Sequence, residues 1–210
     1  MSTGIVVLGS PSAAWAQGTA AASTAPVVLV VGDSLSAEYG LARGQGWVAL
    51  MAARVAAQKL PVRIVNASIS GDTTAGGRTR LPALLASYKP KVVIIELGAN
   101  DGLRGLPIAT ARDNLLAMAR MARSIGAKTV IVGMQIPPNY GREYTSGFAS
   151  MFPAVATQAG AALVPFFLAG VADAPDAKSL FQGDGIHPRA EAHSRLLDNV
   201  WPAVAPLLKG

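Results

Sequence analysis

The sequence predicts an α/β protein, a three-layer α/β/α sandwich built on a five-stranded parallel sheet. Three observations predict it. Short apolar runs rich in Val and Ile alternate with longer segments of helical period, the pattern of parallel strands joined by helical crossovers. Those runs lack polar alternation, as strands covered on both faces do. Each run also ends in a polar loop, so several loops gather at the carboxyl edge of the sheet, where open α/β sheets bind ligands.

The first 26 residues stand apart from this pattern. Residues 5–8 are apolar, Ala14-Trp15-Ala16 has the small-x-small form of a signal-peptidase site, and residues 17–26 are rich in Ala, Ser, Thr and Gly. The basic start of an export signal is missing, since the chain opens Met-Ser-Thr-Gly. Residues 1–26 therefore read as an export-signal remnant with a flexible lead-in, and 27–210 as a single domain. A periplasmic or secreted location follows.

Residues 27–32, Val-Val-Leu-Val-Val-Gly, read as the first strand, because branched aliphatics favour the extended state. Gly32-Asp33-Ser34 is turn chemistry, so the strand stops there and delivers Ser34 to the carboxyl edge. Trp47, Leu50, Met51, Arg54, Val55 and Gln58 recur at helical spacing, and the apolar ones give 45–58 a buried stripe. Residues 61–65 make a short second strand opening onto a polar loop from Asn66 to Thr74. A helix begins near Pro82, whose fixed φ and missing N–H suit a first turn. Residues 91–96 form the third strand and lead into Leu97-Gly-Ala-Asn100-Asp101. Pro107 starts a long helix with Ile108, Leu115, Met118, Ala122 and Ile125 on one face.

The fourth strand covers 128–133 and is followed by an irregular loop over 135–141. A helix over 143–159 breaks or restarts at Pro153, and 161–164 is the fifth strand. Phe166 and Phe167 lead into a short apolar helix and then an acidic loop over 173–184. The closing helix follows Pro188 and carries Leu196, Leu197, Val200, Val204 and Leu207.

Composition excludes several classes of function. A chain of 210 residues, 51% hydrophobic and 14% charged, can bury a sizeable core and is not disordered. The formal charge of +6 is scattered from Arg43 onwards with no basic run, so no nucleic-acid partner is expected. No apolar run reaches the roughly 18 residues of a membrane span, so stable membrane insertion is not expected. The absence of cysteine removes disulfides, thiolate zinc sites and a cysteine nucleophile. No metal cluster or cofactor motif stands out; Gly44-Gln-Gly46-Trp imitates a dinucleotide fingerprint but does not follow a strand.

Ser34 alone is a weak candidate, since Gly-Asp-Ser is also an ordinary turn. The two histidines differ in setting. His187 lies in Gly183-Asp184-Gly185-Ile186-His187-Pro188, a loop pinned by glycines and a proline, with Asp184 close enough to hold the imidazole. His193 falls on the apolar side of the last helix and reads as a packing residue. Asp72 and Asp101 read as loop hydrogen-bonding groups rather than a catalytic pair.

Gly-Asp-Ser-Leu-Ser at 32–36, Gly71, Gly-Ala-Asn-Asp at 98–101 and Asp-Gly-Ile-His at 184–187 resemble, in order and spacing, the SGNH (GDSL-type) hydrolases. The resemblance covers essentially all of 27–208 and is finest to bacterial periplasmic arylesterases and thioesterase I/lysophospholipase L1 enzymes. It implies a flavodoxin-like fold and a serine esterase acting on aryl and short or medium acyl esters, thioesters or lysophospholipids, without a cofactor. It implies Ser34 as nucleophile, His187 as base and Asp184 as its orienting carboxylate. The Ser34 and Gly71 N–H groups and the Asn100 amide would form the oxyanion hole, glycine allowing close approach and Asn offering N–H donors.

Around them, Asp33, Leu35, Glu38, Leu103 and Arg104 are candidate substrate contacts. Ile136, Pro138, Tyr140 and Ile186 complete the set, in or beside a rim loop over 135–148 suited to an acyl chain. A small-molecule or lipid-like ester is the expected partner. Two alternatives stay open: a carbohydrate O-acetylesterase or acyltransferase, and a non-catalytic lipid- or glycan-binding envelope protein.

Overall fold

All six residues of the first strand, β1 (Val27–Gly32), are buried at the middle of the sheet, as their unbroken aliphatic run requires. The computed structural model of the protein describes residue 1 and residues 25–209, so nearly all of the export-signal remnant and lead-in lies outside the described residues. In chain order the elements are α1 (Trp47–Ala57), β2 (Arg63–Asn66), α2 (Thr74–Tyr88), β3 (Val92–Glu96), α3 (Ala99–Leu103) and α4 (Ile108–Ser124). They continue with β4 (Lys128–Val132), α5 (Arg142–Ala159), β5 (Ala162–Val164), α6 (Ala177–Leu180) and α7 (His193–Leu208). Every strand pairing is parallel, in the order β2-β1-β3-β4-β5.

That order reverses direction once, between β2 and β3. Right-handed crossovers therefore put α1 on one face and α2, α4 and α5 on the other. The packing agrees: α1 lies against α7, while α2, α4 and α5 pack in sequence. The chain leaves β1 and β3 in opposite directions, opening a crevice between their carboxyl ends. Among the described residues, no helix is long and apolar enough to cross a membrane.

Several elements differ from expectation. α2 begins at Thr74, two turns before Pro82, because Thr73 caps it by accepting the Gly76 N–H. Thr74 is tied down as well, donating its N–H and hydroxyl to Asp101 at 2.9 and 2.6 Å. Pro82 thus sits inside the helix rather than at its start. α5 runs unbroken past Pro153, where tertiary packing of Phe148, Met151, Phe152 and Val155 outweighs the lost hydrogen bond. Ile125 falls at the end of α4 and is 49% exposed, off the buried stripe. Residues after Phe167 turn instead of forming a helix, and the short α6 lies within the acidic stretch. At the end of α7 it is Leu208, rather than Leu207, that is fully buried.

His193 is 2% exposed, and its Nδ1 accepts the backbone N–H of Trp47 at 3.1 Å. A side chain of α7 thereby satisfies a donor that the first turn of α1 would leave orphaned. Burial pushes the His193 pKa below its ordinary 6.5, so the ring is neutral in the fold. His193→Ala should lower unfolding free energy in urea by about 1–3 kcal/mol, the cost of a buried unpaired donor. Because the folded pKa is depressed, this histidine's contribution is present above pH 6.5 and lost as pH falls below it. The variant should therefore lose less stability than wild type on acidification, read as urea midpoint against pH.

Candidate active site

The end of β1 is shaped by the absence of a side chain at Gly32. A Cβ there would lie 2.7 Å from Ser36 Oγ and 2.8 Å from Glu96 Oε2, so glycine leaves the room in which these two side chains meet. Beyond it the chain folds into a tight turn. The Asp33 carbonyl accepts the Ser36 and Ala37 N–H groups at 3.2 and 2.9 Å, and Asp33 Oδ1 accepts that of Leu35 at 3.0 Å. Ser34 is held at the crest of this turn, half-buried and open to the crevice.

A second loop brings in the histidine. Gln182 N–H donates to the His187 carbonyl at 2.8 Å, Phe181 bridges to Pro188, and Gly185 takes φ +69°. Asp184 Oδ1 accepts the N–H groups of Ile186 and His187 at 2.9 and 3.0 Å. Those backbone bonds, that of His187 foremost, pull the Asp184 pKa down to about 2. The other oxygen, Oδ2, lies 2.7 Å from His187 Nδ1, and His187 Nε2 lies 2.9 Å from Ser34 Oγ. With a carboxylate on Nδ1, that nitrogen carries the proton and Nε2 accepts from the serine hydroxyl. The Tyr39 ring lies against the imidazole, centroids 4.3 Å apart.

The Asn100 bonds to Asp33 and to the Asp72 carbonyl bring the three expected donors, the Ser34 and Gly71 N–H groups and the Asn100 amide, into one neighbourhood. Among the described residues, neither the Ser34 nor the Gly71 N–H has an acceptor within the protein. Gly71 has φ +79°, a left-handed conformation that favours glycine. Asn100, in the short α3, donates from Nδ2 to Asp33 Oδ2 at 3.1 Å and to the Asp72 carbonyl at 2.9 Å.

The remaining sequence candidates divide. Leu35, Leu103, Ile136, Pro138 and Ile186 line an apolar groove of about 380 Å³ beside Ser34. Asp33 is buried beneath the turn, 1% exposed, and does not face the groove. Glu38 turns away, accepting the Gly44 and Gly46 N–H groups at 3.0 and 2.8 Å, and so orders the loop that precedes α1. Arg104 is exposed and donates to the Gly71 carbonyl at 3.0 Å; Tyr140 donates its hydroxyl to the Leu103 carbonyl at 2.8 Å. Both brace the rim rather than line the groove. Tyr144 likewise donates to the Leu106 carbonyl, and Phe148 is buried under Gly102. Asp72 pairs with Arg80 at 2.8 Å and Asp101 with Thr74, so both carboxylates are engaged in loop bonding.

Sequence reasoning missed Met134, Leu168 and Phe181 in the groove wall, and Glu96 beneath the site. Only Glu96 carried a signal, as an acidic residue closing an otherwise apolar strand.

Fold and site together define a serine hydrolase acting on ester bonds. The chain belongs to the GDSL-like lipase/acylhydrolase family, whose model matches residues 30–195. It is 54% identical over 186 residues to esterase TesA of Pseudomonas aeruginosa, covering 89% of this chain and 91% of that one. It is 36% identical over 187 residues to thioesterase 1/protease 1/lysophospholipase L1 of Escherichia coli K12, covering 89% and 87%. A crystal structure of TesA superposes with TM-score 0.82 at 55% identity, over 86% of this chain and 99% of that one.

Among the described residues, Ser34 is the hydroxyl that lies within hydrogen-bond reach of an imidazole nitrogen, the arrangement that activates a nucleophile. A fluorophosphonate probe should label Ser34 selectively, with the adduct located by peptide mass spectrometry. Adduct on another serine would break the assignment.

Proposed function

We propose that the protein hydrolyses carboxylic esters through a covalent acyl-serine, with Ser34 as nucleophile, His187 as general base and then acid, and Asp184 as the orienting carboxylate. The observation that carries this reading is the chain of contacts from Ser34 Oγ to His187 Nε2, 2.9 Å, and from His187 Nδ1 to Asp184 Oδ2, 2.7 Å. Ser34 attacks the acyl carbonyl as His187 takes its proton. Asp184, charged down to about pH 2, stabilises the imidazolium that forms. The oxyanion is received by the N–H groups of Ser34 and Gly71 and by the Asn100 amide. His187 then protonates the departing alcohol or thiol, and water repeats the sequence on the acyl-enzyme.

The groove supports an acyl chain as the recognised group. Its walls are aliphatic and aromatic, and each methylene buried there contributes about 0.8 kcal/mol at most. Its 380 Å³ lies at the small end of ligand pockets, which favours short to medium chains. Aryl esters and acyl-thioesters suit the site because their leaving groups need little protonation. The E. coli relative's name, thioesterase 1/protease 1/lysophospholipase L1, supports thioesters and lysophospholipids as further substrates. The small-x-small pattern at 14–16 supports a periplasmic or secreted enzyme.

Ser34→Ala should fold normally and lose ester turnover by several orders of magnitude, measured with 4-nitrophenyl butyrate. Asn100→Ala should lower kcat about 10²–10³-fold with a smaller change in KM, the loss of one donor aimed at developing charge. Full turnover by pure Ser34→Ala protein defeats the mechanism. For the substrate, 4-nitrophenyl esters from acetate to palmitate should be run beside acyl-thioesters and acetylated xylan. A maximum at short or medium chains is expected; strict acetate selectivity with fast xylan deacetylation would reassign the groove to a carbohydrate ester.

A further inference from the structure

Two carboxyl groups that this chemistry does not use lie directly under the nucleophile's turn. Asp33 and Glu96 are 1% and 2% exposed, and Gly32 pairs with Glu96 in the sheet, so the two acids meet at the ends of β1 and β3. Glu96 Oε2 accepts the Ser36 hydroxyl at 2.7 Å and the Asp33 N–H at 3.4 Å. The Ser36 hydroxyl in turn accepts the Trp47 indole N–H at 3.1 Å, which fixes Glu96 to the core. The backbone N–H of Asp33 thus makes the hydrogen bond that ties the first acid to the second.

The two oxygens of Asp33 face outward from this pair. One accepts the Leu35 N–H and the other the Asn100 amide. An amide has two hydrogens on its nitrogen, and both in Asn100 are engaged, one by Asp33 and one by the Asp72 carbonyl. The direction in which Asn100 can donate is therefore set by Asp33, and the place of Asp33 is set by Glu96. We propose that Glu96, acting through Asp33, is a positioning residue that aims the Asn100 amide at the reacting carbonyl oxygen; this rests on the acyl-serine reading above. As negative charge develops on that oxygen, the amide exchanges one of its two resting partners for it.

Protonation gives the arrangement a signature. Burial first, then the charge of Asp33, raises the Glu96 pKa well above the usual carboxyl range. Both Asp33 oxygens accept N–H groups, so the charge belongs to Asp33, and Glu96 with its raised pKa keeps its proton. Loss of that proton places a second negative charge beneath a site where an oxyanion must form. The other charged groups facing the pair are His187 and Asp72, with Arg80 bound to Asp72 and to the Gly32 carbonyl. A raised pKa moves the loss of the Glu96 proton toward higher pH, so the alkaline limb of the profile is the one that reports on it.

The test compares kcat against pH for wild type, Glu96→Gln and Glu96→Leu, with folding checked at each pH by circular dichroism. Gln keeps the acceptor for the Ser36 hydroxyl and the Asp33 N–H but has no proton to lose. Wild-type kcat should fall at alkaline pH, and that fall should be absent in Glu96→Gln. Glu96→Leu should lose about 10–10²-fold in kcat with KM little changed, part of the cost of a lost oxyanion donor. If Glu96→Leu does not fold, the Glu96→Gln profile decides alone. The same alkaline fall in Glu96→Gln, no such fall in wild type, or wild-type kcat in folded Glu96→Leu would each overturn the positioning role. Ser34→Ala assayed alongside separates the two claims: turnover surviving in it defeats the acyl-serine reading itself.

Discussion

The contact on which the site depends is the close meeting of β1 and β3 at their carboxyl ends, where Gly32 faces Glu96. A Cβ at position 32 would strike the side chains of Ser36 and Glu96 and force their hydrogen-bonded arrangement to shift. With glycine there, the turn carrying Ser34 lies on a rigid floor of apolar strands, and the α3 turn carrying Asn100 begins only a few residues beyond β3. The sheet order makes this possible. Chains leaving β1 and β3 diverge, so the space between their ends stays open to a ligand. Ser34 and Asn100 thus emerge at the ends of adjacent strands without either being placed on a long loop.

The polar groups around that crevice follow a consistent division. Those beneath it are dry and fully engaged: Asp33, Ser36, Glu96, Asp101 and Thr74 each have defined partners. At the crevice the Ser34 and Gly71 N–H groups have no acceptor among the described residues, whereas the Asn100 amide is engaged by Asp33 and the Asp72 carbonyl. Buried networks that are fully satisfied hold a unique geometry, and preorganised donors need little rearrangement when charge develops. The rim repeats the arrangement at lower burial, with Arg104 and Tyr140 bracing the backbones of Gly71 and Leu103.

Much of this was legible in the sequence because the signals are local. Unbroken runs of Val and Ile mark the strands, and turn residues after them mark where chemistry-bearing side chains emerge. His187 and Asp184 are three residues apart, so their pairing is a property of one loop. What was not legible is long-range. The bond between His193 and Trp47 spans 146 positions, and the contact between Ser36 and Glu96 spans 60. Nothing near Glu96 or His193 in the chain indicates its partner. Prolines misled in both directions, since Pro82 and Pro153 read as boundaries while cap chemistry at Thr73 and core packing along α5 decide those helices. The groove was only half legible: Ile136 and Pro138 lie in a visible loop, whereas Met134, Leu168 and Phe181 come together only through the fold.

This split between local and long-range origin separates the reaction from its specificity. Ser34, Gly71, Asn100, Asp184 and His187 each lie in a short turn or helix directly after a strand or within one loop, and Gly71 and Gly185 take left-handed φ there. The groove wall is assembled from side chains on the segments after β1, β3, β4 and β5, where exchange of one apolar residue for another leaves every catalytic hydrogen bond in place. A change at Phe181 or Leu168 alters the volume of the groove by packing alone. Under the acyl-serine proposal, the reaction and the chain-length preference can therefore vary independently, at about 0.8 kcal/mol per methylene gained or lost. The exception is Leu35, which lines the groove and also donates its N–H to Asp33, so it couples the acyl chain to the floor of the site.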